Sequence, residues 1–123
     1  MLECLFVGLG GFVGSICRYL IGLIAVETAS GFPIKTFCIN IIGAFVLGIV
    51  SETAMLNPAF SRNLVLFLQI GLCGGFTTFS TFSSEALKLL TTGRQGTAVA
   101  YMLASMILGL IAVFAGQMVA RLR

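Results

Sequence analysis

A row of hydroxyl-bearing side chains lies in the segment 71–85. The spacing i, i+3, i+4 and i+7 describes Thr77, Ser80, Thr81 and Ser84, and on a continuous helix it places them on one face. Hydroxyl groups without a carboxylate replace the hydration shell of an anion and add no fixed countercharge, whereas cation pores favour carbonyl or carboxylate rings. The row therefore favours a path for an anion.

Aromatic side chains run beside this row. Phenylalanine recurs at every third position as Phe76, Phe79 and Phe82, and the edges of these rings are weakly positive. Further along the chain, Tyr101 and Ser105 are spaced i, i+4 and extend the polar line. Together these side chains predict a neutral, donor-rich track.

Glycines precede the hydroxyl row at Gly71, Gly74 and Gly75. Because glycine has low helix propensity and hydroxyls compete for backbone hydrogen bonds, we expect the helix to break near Gly74 and Gly75. A break inside a membrane frees carbonyl oxygens, which suit a hard cation such as sodium. Alternatively, Gly71 and Gly75 form a close contact with another helix. The glycines alone leave both interpretations open.

Three other polar side chains fall at or near membrane depth. Arg18 either anchors its helix by reaching the surface or donates to a neighbouring helix. Asn40 offers two N–H donors and one acceptor, and it either joins helices or faces the track. Glu85 is the acid nearest the track, and we expect an interfacial or helix-contact residue there, with a regulatory or ion-dehydrating role as the alternative.

The composition indicates whether the segments that carry these side chains lie in water or in a membrane. Of 123 residues, 59% are hydrophobic and 9% are charged, whereas soluble domains carry about 25% charged residues. The apolar runs lack the alternation of barrel strands, so we expect an all-α membrane protein with a single domain, 1–123. Four transmembrane helices are predicted, at 4–26, 36–55, 64–90 and 97–120.

Missing residue types exclude several classes of function. The chain has no histidine and no aspartate, which removes common metal ligands and proton-transfer groups, so a conventional hydrolase or metalloenzyme is not expected. Its basic residues are scattered singly, which argues against nucleic acid as a partner. The four cysteines lack CxxC spacing and are interpreted as packing residues.

The basic residues give no clear orientation in the membrane. Four spans place three on each side, namely Arg62, Arg121 and Arg123 against Lys35, Lys88 and Arg94. A balanced count suggests that the chain inserts both ways and that two opposed copies pair about an axis in the membrane plane. A fixed orientation set by other factors remains the alternative.

The motifs resemble those of the Fluc family of fluoride channels, also called CrcB. The strongest likeness is GLCGGFTTFSTFSSE at 71–85, supported by GGFVGSICRY at 10–19 and by Thr36 with Asn40. The resemblance implies an antiparallel, dual-topology homodimer with two fluoride pores in the cell membrane. It also implies passive fluoride efflux that lowers toxic intracellular fluoride, and a structural Na⁺ at the dimer centre.

The same resemblance implies roles for individual residues. Backbone carbonyls of Gly74 and Thr77 would hold the sodium ion. The fluoride path would be formed by Asn40, Phe79, Phe82, Ser80, Thr81 and Tyr101. Arg18 and Glu85 would have regulatory or structural roles. The sequence departs from the family pattern at Lys35, which stands at a pore entrance, and at Ile70 and Phe76, which affect packing near the sodium site.

Two other classes of function were weighed. A small proton-coupled multidrug exporter needs a carboxylate within the membrane, and Glu3 precedes the first span. A purely structural helical subunit leaves the hydroxyl row unexplained. Residue types and spacing alone predict only a small helical membrane protein with a track suited to anions. They do not indicate whether the anion is fluoride or chloride.

Overall fold

The computed structural model of the chain describes residues 1–122 and is helical in every span. The helices are α1 (Leu2–Gly22), α2 (Ile34–Leu56), α3 (Arg62–Val65), a π-helix (Leu66–Cys73), α4 (Gly74–Phe76), α5 (Phe79–Thr91) and α6 (Gln95–Arg121). Four stretches are long and apolar enough to cross a membrane: Leu2–Gly22, Ile34–Leu56, Arg62–Thr91 and Gln95–Arg121. The expected all-helical chain with four spans is confirmed.

The first span ends earlier than predicted. The apolar run was expected to continue to residue 26, but α1 ends at Gly22 and residues 23–33 form a connection. Lys35 Nζ donates to the Gly22 carbonyl at 3.0 Å and satisfies a helix-terminal acceptor. Hydropathy alone does not locate this end because Leu23 and Ile24 are as apolar as the helix before them.

Glycines allow two pairs of helices to approach at backbone distance. A Cβ on Gly48 of α2 would collide with the Val113 carbonyl of α6, and one on Gly116 would collide with the Phe45 carbonyl. In the same way, a Cβ on Gly10 of α1 would collide with the backbone of the π-helix. These contacts join α2 to α6 and α1 to the third span, because only glycine leaves room for backbone against backbone.

The glycine run of the third span divides between two sides of the helix. A Cβ on Gly71 would lie 2.7 Å from the Val7 carbonyl, and one on Gly75 would lie 2.6 Å from the Gly11 carbonyl. Gly74 is exposed, and an added Cβ would have no atom of another part of residues 1–122 within 4 Å. Gly71 and Gly75 therefore make the close helix contact with α1, whereas Gly74 lies away from it.

The third span changes its backbone twice. It first winds as a π-helix over Leu66–Cys73 and then continues through Gly74 and Gly75 in helical conformation. Thr77 (φ −78°, ψ 157°) and Thr78 (φ −149°, ψ 116°) are extended, and α5 begins after them. The extended residues thus lie three positions beyond the glycine pair at which the sequence located the change.

Candidate functional site

The side chain of Asn40 pairs with the backbone of Thr78. Its Oδ1 accepts from the Thr78 N–H at 2.8 Å, and its Nδ2 donates to the Thr78 carbonyl at 3.2 Å. Thr78 is buried, so both of its backbone groups would otherwise lack water. Asn40 therefore supplies the two hydrogen bonds that the extended backbone gives up.

Thr78 also starts α5. Its Oγ1 accepts from the Thr81 N–H at 3.2 Å, as an N-cap residue does, and donates to Thr81 Oγ1 at 3.0 Å. Ser80 Oγ lies 3.4 Å from the same hydroxyl. Thr78 was not among the predicted site residues, although threonine is one of the residue types preferred at a helix N-cap.

Carbonyl oxygens at the extended residues have no helical partners. Thr77 donates through its N–H (3.0 Å) and its hydroxyl (2.8 Å) to the Cys73 carbonyl, but the helix does not continue to the next turn. Within residues 1–122, no backbone or side-chain donor bonds the carbonyls of Gly74 and Thr77. Uncharged, unpaired carbonyl oxygens are the ligands that a hard cation prefers.

A cavity of about 660 Å³ opens beside these residues. Gly74, Thr77 and Asn40 line it, and so do the rings of Phe79 and Phe82. The two rings are tilted with centroids 5.7 Å apart, and Phe79 is 80% exposed. The structure thus brings together the predicted amide, the two phenylalanines and both predicted carbonyl residues.

The predicted row of hydroxyls and rings is interrupted by the extended backbone. Thr77 falls outside the expected helical face because α5 begins only at Phe79, whereas Ser80, Thr81 and Ser84 remain together on that helix. Phe76 belongs to α4 and packs beside Gly43, so it does not continue the series of Phe79 and Phe82. Periodicity counted across a change of backbone conformation loses its meaning.

Glu85 accepts hydrogen bonds from two neutral hydroxyls. Thr36 Oγ1 donates to Oε1 at 2.8 Å, and the Tyr101 hydroxyl donates to Oε2 at 2.9 Å. Tyr101 is fully buried and its ring lies against that of Phe82, with centroids 5.0 Å apart and the ring planes tilted by 55°. Its hydrogen therefore points to Glu85, which makes this tyrosine a partner of the acid at the end of the track.

The remaining predicted side chains make no hydrogen bond to Glu85. Ser80 and Thr81 are exposed at the start of α5, on the open side of the chain. Ser105 lines the cavity, and its hydroxyl is buried without a hydrogen-bond partner among the described residues. Arg18 is half-buried on α1, and no hydrogen bond to another described side chain fixes it.

Two polar contacts at the other end of the bundle were not anticipated. Glu52 in α2 is 5% exposed, and its Oε1 accepts from Arg121 Nε at 2.7 Å. Beside it, Gln69 Nε2 donates to Ser51 Oγ at 2.6 Å. Glu3, which the sequence placed before the first span, forms an exposed ion pair with Arg62 at 3.0 Å.

Comparison with known proteins identifies the family. A sequence profile described as "CrcB-like protein, Camphor Resistance (CrcB)" matches residues 5–117. The chain belongs to the CrcB family. It is 41% identical over 122 residues to the "Fluoride-specific ion channel FluC" of Chlorobaculum tepidum, covering 99% of this chain and 97% of that protein. It is also 41% identical to the protein of that name from Clostridium perfringens, with 99% and 96% coverage.

Membership confirms the resemblance drawn from the third-span motif. The CrcB relatives are named as ion channels, and this chain is not an enzyme. With four helices able to span a membrane, it is a multi-pass protein of the plasma membrane.

Proposed function

We propose that this protein is a fluoride-selective channel that lets fluoride leave the cell passively and so lowers its toxic intracellular level. The observation that carries the proposal is the likeness, over nearly the whole of both chains, to proteins named fluoride-specific ion channel. The cavity beside Thr77 and Thr78 adds chemical support, since amide, hydroxyl and ring-edge groups line it and no charged side chain of residues 1–122 does.

The chemistry of the track suits a small, strongly hydrated anion. Such an ion must exchange its water stepwise for donors that bind weakly enough to release it. Ser80 and Thr81 supply hydroxyl donors, and the edges of Phe79 and Phe82 attract negative charge between polar positions. Amides, hydroxyls and phenyl rings do not gain or lose charge near neutral pH, so we expect fluoride to move down its gradient without required proton exchange.

The buried ion pair argues against a proton-coupled exporter. Glu52 is the most buried of the carboxylates, but Arg121 already neutralises it at 2.7 Å. An exporter needs an embedded acid that alternates between a proton and a cationic drug. A neutralised acid at the end of a span does not fit that role.

We further propose that the working unit is an antiparallel homodimer of dual topology. The predicted path-lining residues Phe79, Ser80 and Thr81 are exposed on one chain, so a second copy is needed to enclose them. A single cysteine placed after Leu122, in a chain without the native cysteines, should be labelled from both sides of the membrane. Labelling from one side only would contradict dual topology.

A sodium ion at the centre of this dimer is the accompanying proposal. The donor set fits, since the carbonyls of Gly74 and Thr77 lack donors within the described chain and carry no charge. The bound cation would neutralise repulsion among carbonyl dipoles at the extended backbone. Gly74→Val should then lower sodium retained by the purified protein more than Thr77→Val, because the backbone and not the side chain binds the ion. Equal retention in both variants would remove the site.

Fluoride efflux from proteoliposomes, with chloride as the comparison, tests the function itself. We expect Phe79→Ile and Phe82→Ile each to reduce fluoride flux by about tenfold or more, equal to about 1.4 kcal/mol in the barrier. Phe76→Leu is the matched control and should be mild, because Phe76 lies outside the cavity lining. Flux unchanged in both isoleucine variants would remove the rings from the mechanism, and obligatory proton coupling would exclude a passive channel.

A further inference from the structure

A second cavity, of about 730 Å³, lies at the end of the bundle where α1 leads into α2. Three cationic residues from different elements line it: Lys35 at the start of α2, Lys88 in the last turn of α5, and Arg94 just before α6. Because all three stand at helix ends, the cavity lies at the level of the membrane surface and not in its interior.

The positive charge in this cavity is not matched by ion pairs. Among residues 1–122, the carboxylate–cation pairs within 4.0 Å are Glu3 with Arg62 and Glu52 with Arg121. The acids that line the cavity are Glu27 and Glu85, and each oxygen of Glu85 already accepts a hydroxyl hydrogen. Three cations against two acids leave a net positive charge.

The connection between α1 and α2 gives the cavity a fixed wall. Gly31 has φ +72°, a conformation that favours glycine, and the Arg94 guanidinium occupies the space where a side chain at 31 would begin. Thr97 Oγ1 donates to the Ser30 carbonyl at 3.4 Å and holds the same turn. The Arg94 side chain is therefore held against the connection between α1 and α2.

Apolar residues complete the rim. Val26, Phe32 and Leu89 line the cavity together with the basic side chains. Leu23 and Ile24, in the same connection, are 61% and 54% exposed. A ligand with a phosphate and a hydrocarbon tail meets both kinds of surface here, whereas a free inorganic anion gains nothing from the apolar rim.

We propose that this cavity binds a phosphate group and that an anionic phospholipid supplies it. A guanidinium offers paired N–H donors that match phosphate oxygens, and an ammonium adds a compact charge. The Lys35 ammonium donates one N–H to the Gly22 carbonyl, and its other two N–H groups can donate to the ligand. Basic pockets at the ends of transmembrane helices bind acidic headgroups by this combination.

Native mass spectrometry of the purified full-length protein, mixed with phosphatidylglycerol or phosphatidylcholine, tests the proposal. We expect preferential retention of phosphatidylglycerol, reduced about fivefold for each cation removed in Lys88→Gln and Arg94→Gln. Arg62→Gln is the matched control, since it removes an exposed cation at the opposite end and should leave retention unchanged. Lys88→Arg should restore binding and guards against a variant that only disturbs the fold.

A second arm separates the two sources of phosphate. Inorganic phosphate at millimolar concentration should not displace the lipid if the apolar rim contributes. Displacement by inorganic phosphate, or equal retention of the two lipids, would overturn the lipid site. Because this experiment measures lipid binding, the absence of binding would not count against fluoride conduction. Likewise, the absence of fluoride flux would not count against lipid binding.

Discussion

The two ends of α2 hold their polar side chains in different ways. At the first end, Thr36 and Asn40 reach Glu85 and the backbone of Thr78 through neutral hydroxyl and amide groups. At the other end, Glu52 is held by a guanidinium. One end thus keeps donors and an acid without a contacting cation, whereas the other end neutralises its charge.

This difference fits the role that we propose for each end. A full ion pair binds its partners in one geometry and leaves no free charge, which suits an anchor between α2 and α6. Neutral donors around extended backbone leave carbonyls and hydroxyls available to ions without trapping them. We therefore propose that the end of α2 near Asn40 serves conduction and that the end near Glu52 holds α2 against α6.

Removing the amide at Asn40 should have the largest effect. Asn40→Leu leaves both backbone groups of buried Thr78 without partners, at a cost of about 1 to 3 kcal/mol for each group. We expect a clear loss of thermal stability in detergent together with loss of fluoride flux. Asn40→Asp keeps the acceptor for the Thr78 N–H and should lose less stability. An Asn40→Leu protein that melts like the parent would show that Thr78 does not depend on this pairing.

Breaking the ion pair at the opposite end should have the next largest effect. Arg121→Gln leaves Glu52 buried without its cation, and we expect a lower melting temperature, with the loss moderated because the Arg121 side chain is 53% exposed. The double variant Glu52→Gln/Arg121→Gln should recover most of the melting temperature. Flux per folded channel should stay near the parent value. A single variant that alters flux and not stability would reverse the roles assigned to the two ends.

Deleting one hydroxyl at Glu85 should have the smallest effect on stability. Tyr101→Phe keeps the buried ring and removes one hydrogen bond, a loss of about 1 kcal/mol. Thr36→Val does the same at the other carboxylate oxygen. We expect both to alter fluoride flux more than thermal stability, and Tyr19→Phe, on the exposed surface of α1, to alter neither. Unchanged flux in both variants would make the Glu85 network a packing feature only.

The sequence predicted the four spans well because long apolar runs determine them directly. It also selected Asn40, Phe79 and Phe82, which line one cavity. The change of backbone lies at Thr77 and Thr78, just beyond the glycines near which it was expected, and Thr78 is the N-cap residue of α5. Gly71 and Gly75 are instead used to pack against α1.

Other features depend on partners that are distant in the chain. Glu52 and Arg121 are 69 positions apart, and neither residue type nor local periodicity connects them. The same holds for Thr36 and Glu85, 49 positions apart. Local patterns report which residues share a face of one helix, whereas these contacts depend on how whole helices pack.

The π-helix at Leu66–Cys73 has a consequence for how relatives of different length are compared. A π-turn contains one residue more than an α-turn. It can therefore accommodate a one-residue insertion without displacing the residues on either side. A relative with one residue fewer there would align with a gap. Its ordinary α-turn would still place the residue that corresponds to Gly74 at the same point beside α1. A deletion within α6 could not be absorbed by a π-turn and would rotate the rest of that helix by about 100°. Gaps in this family are therefore better placed within the π-helix than next to the glycine motif that follows it.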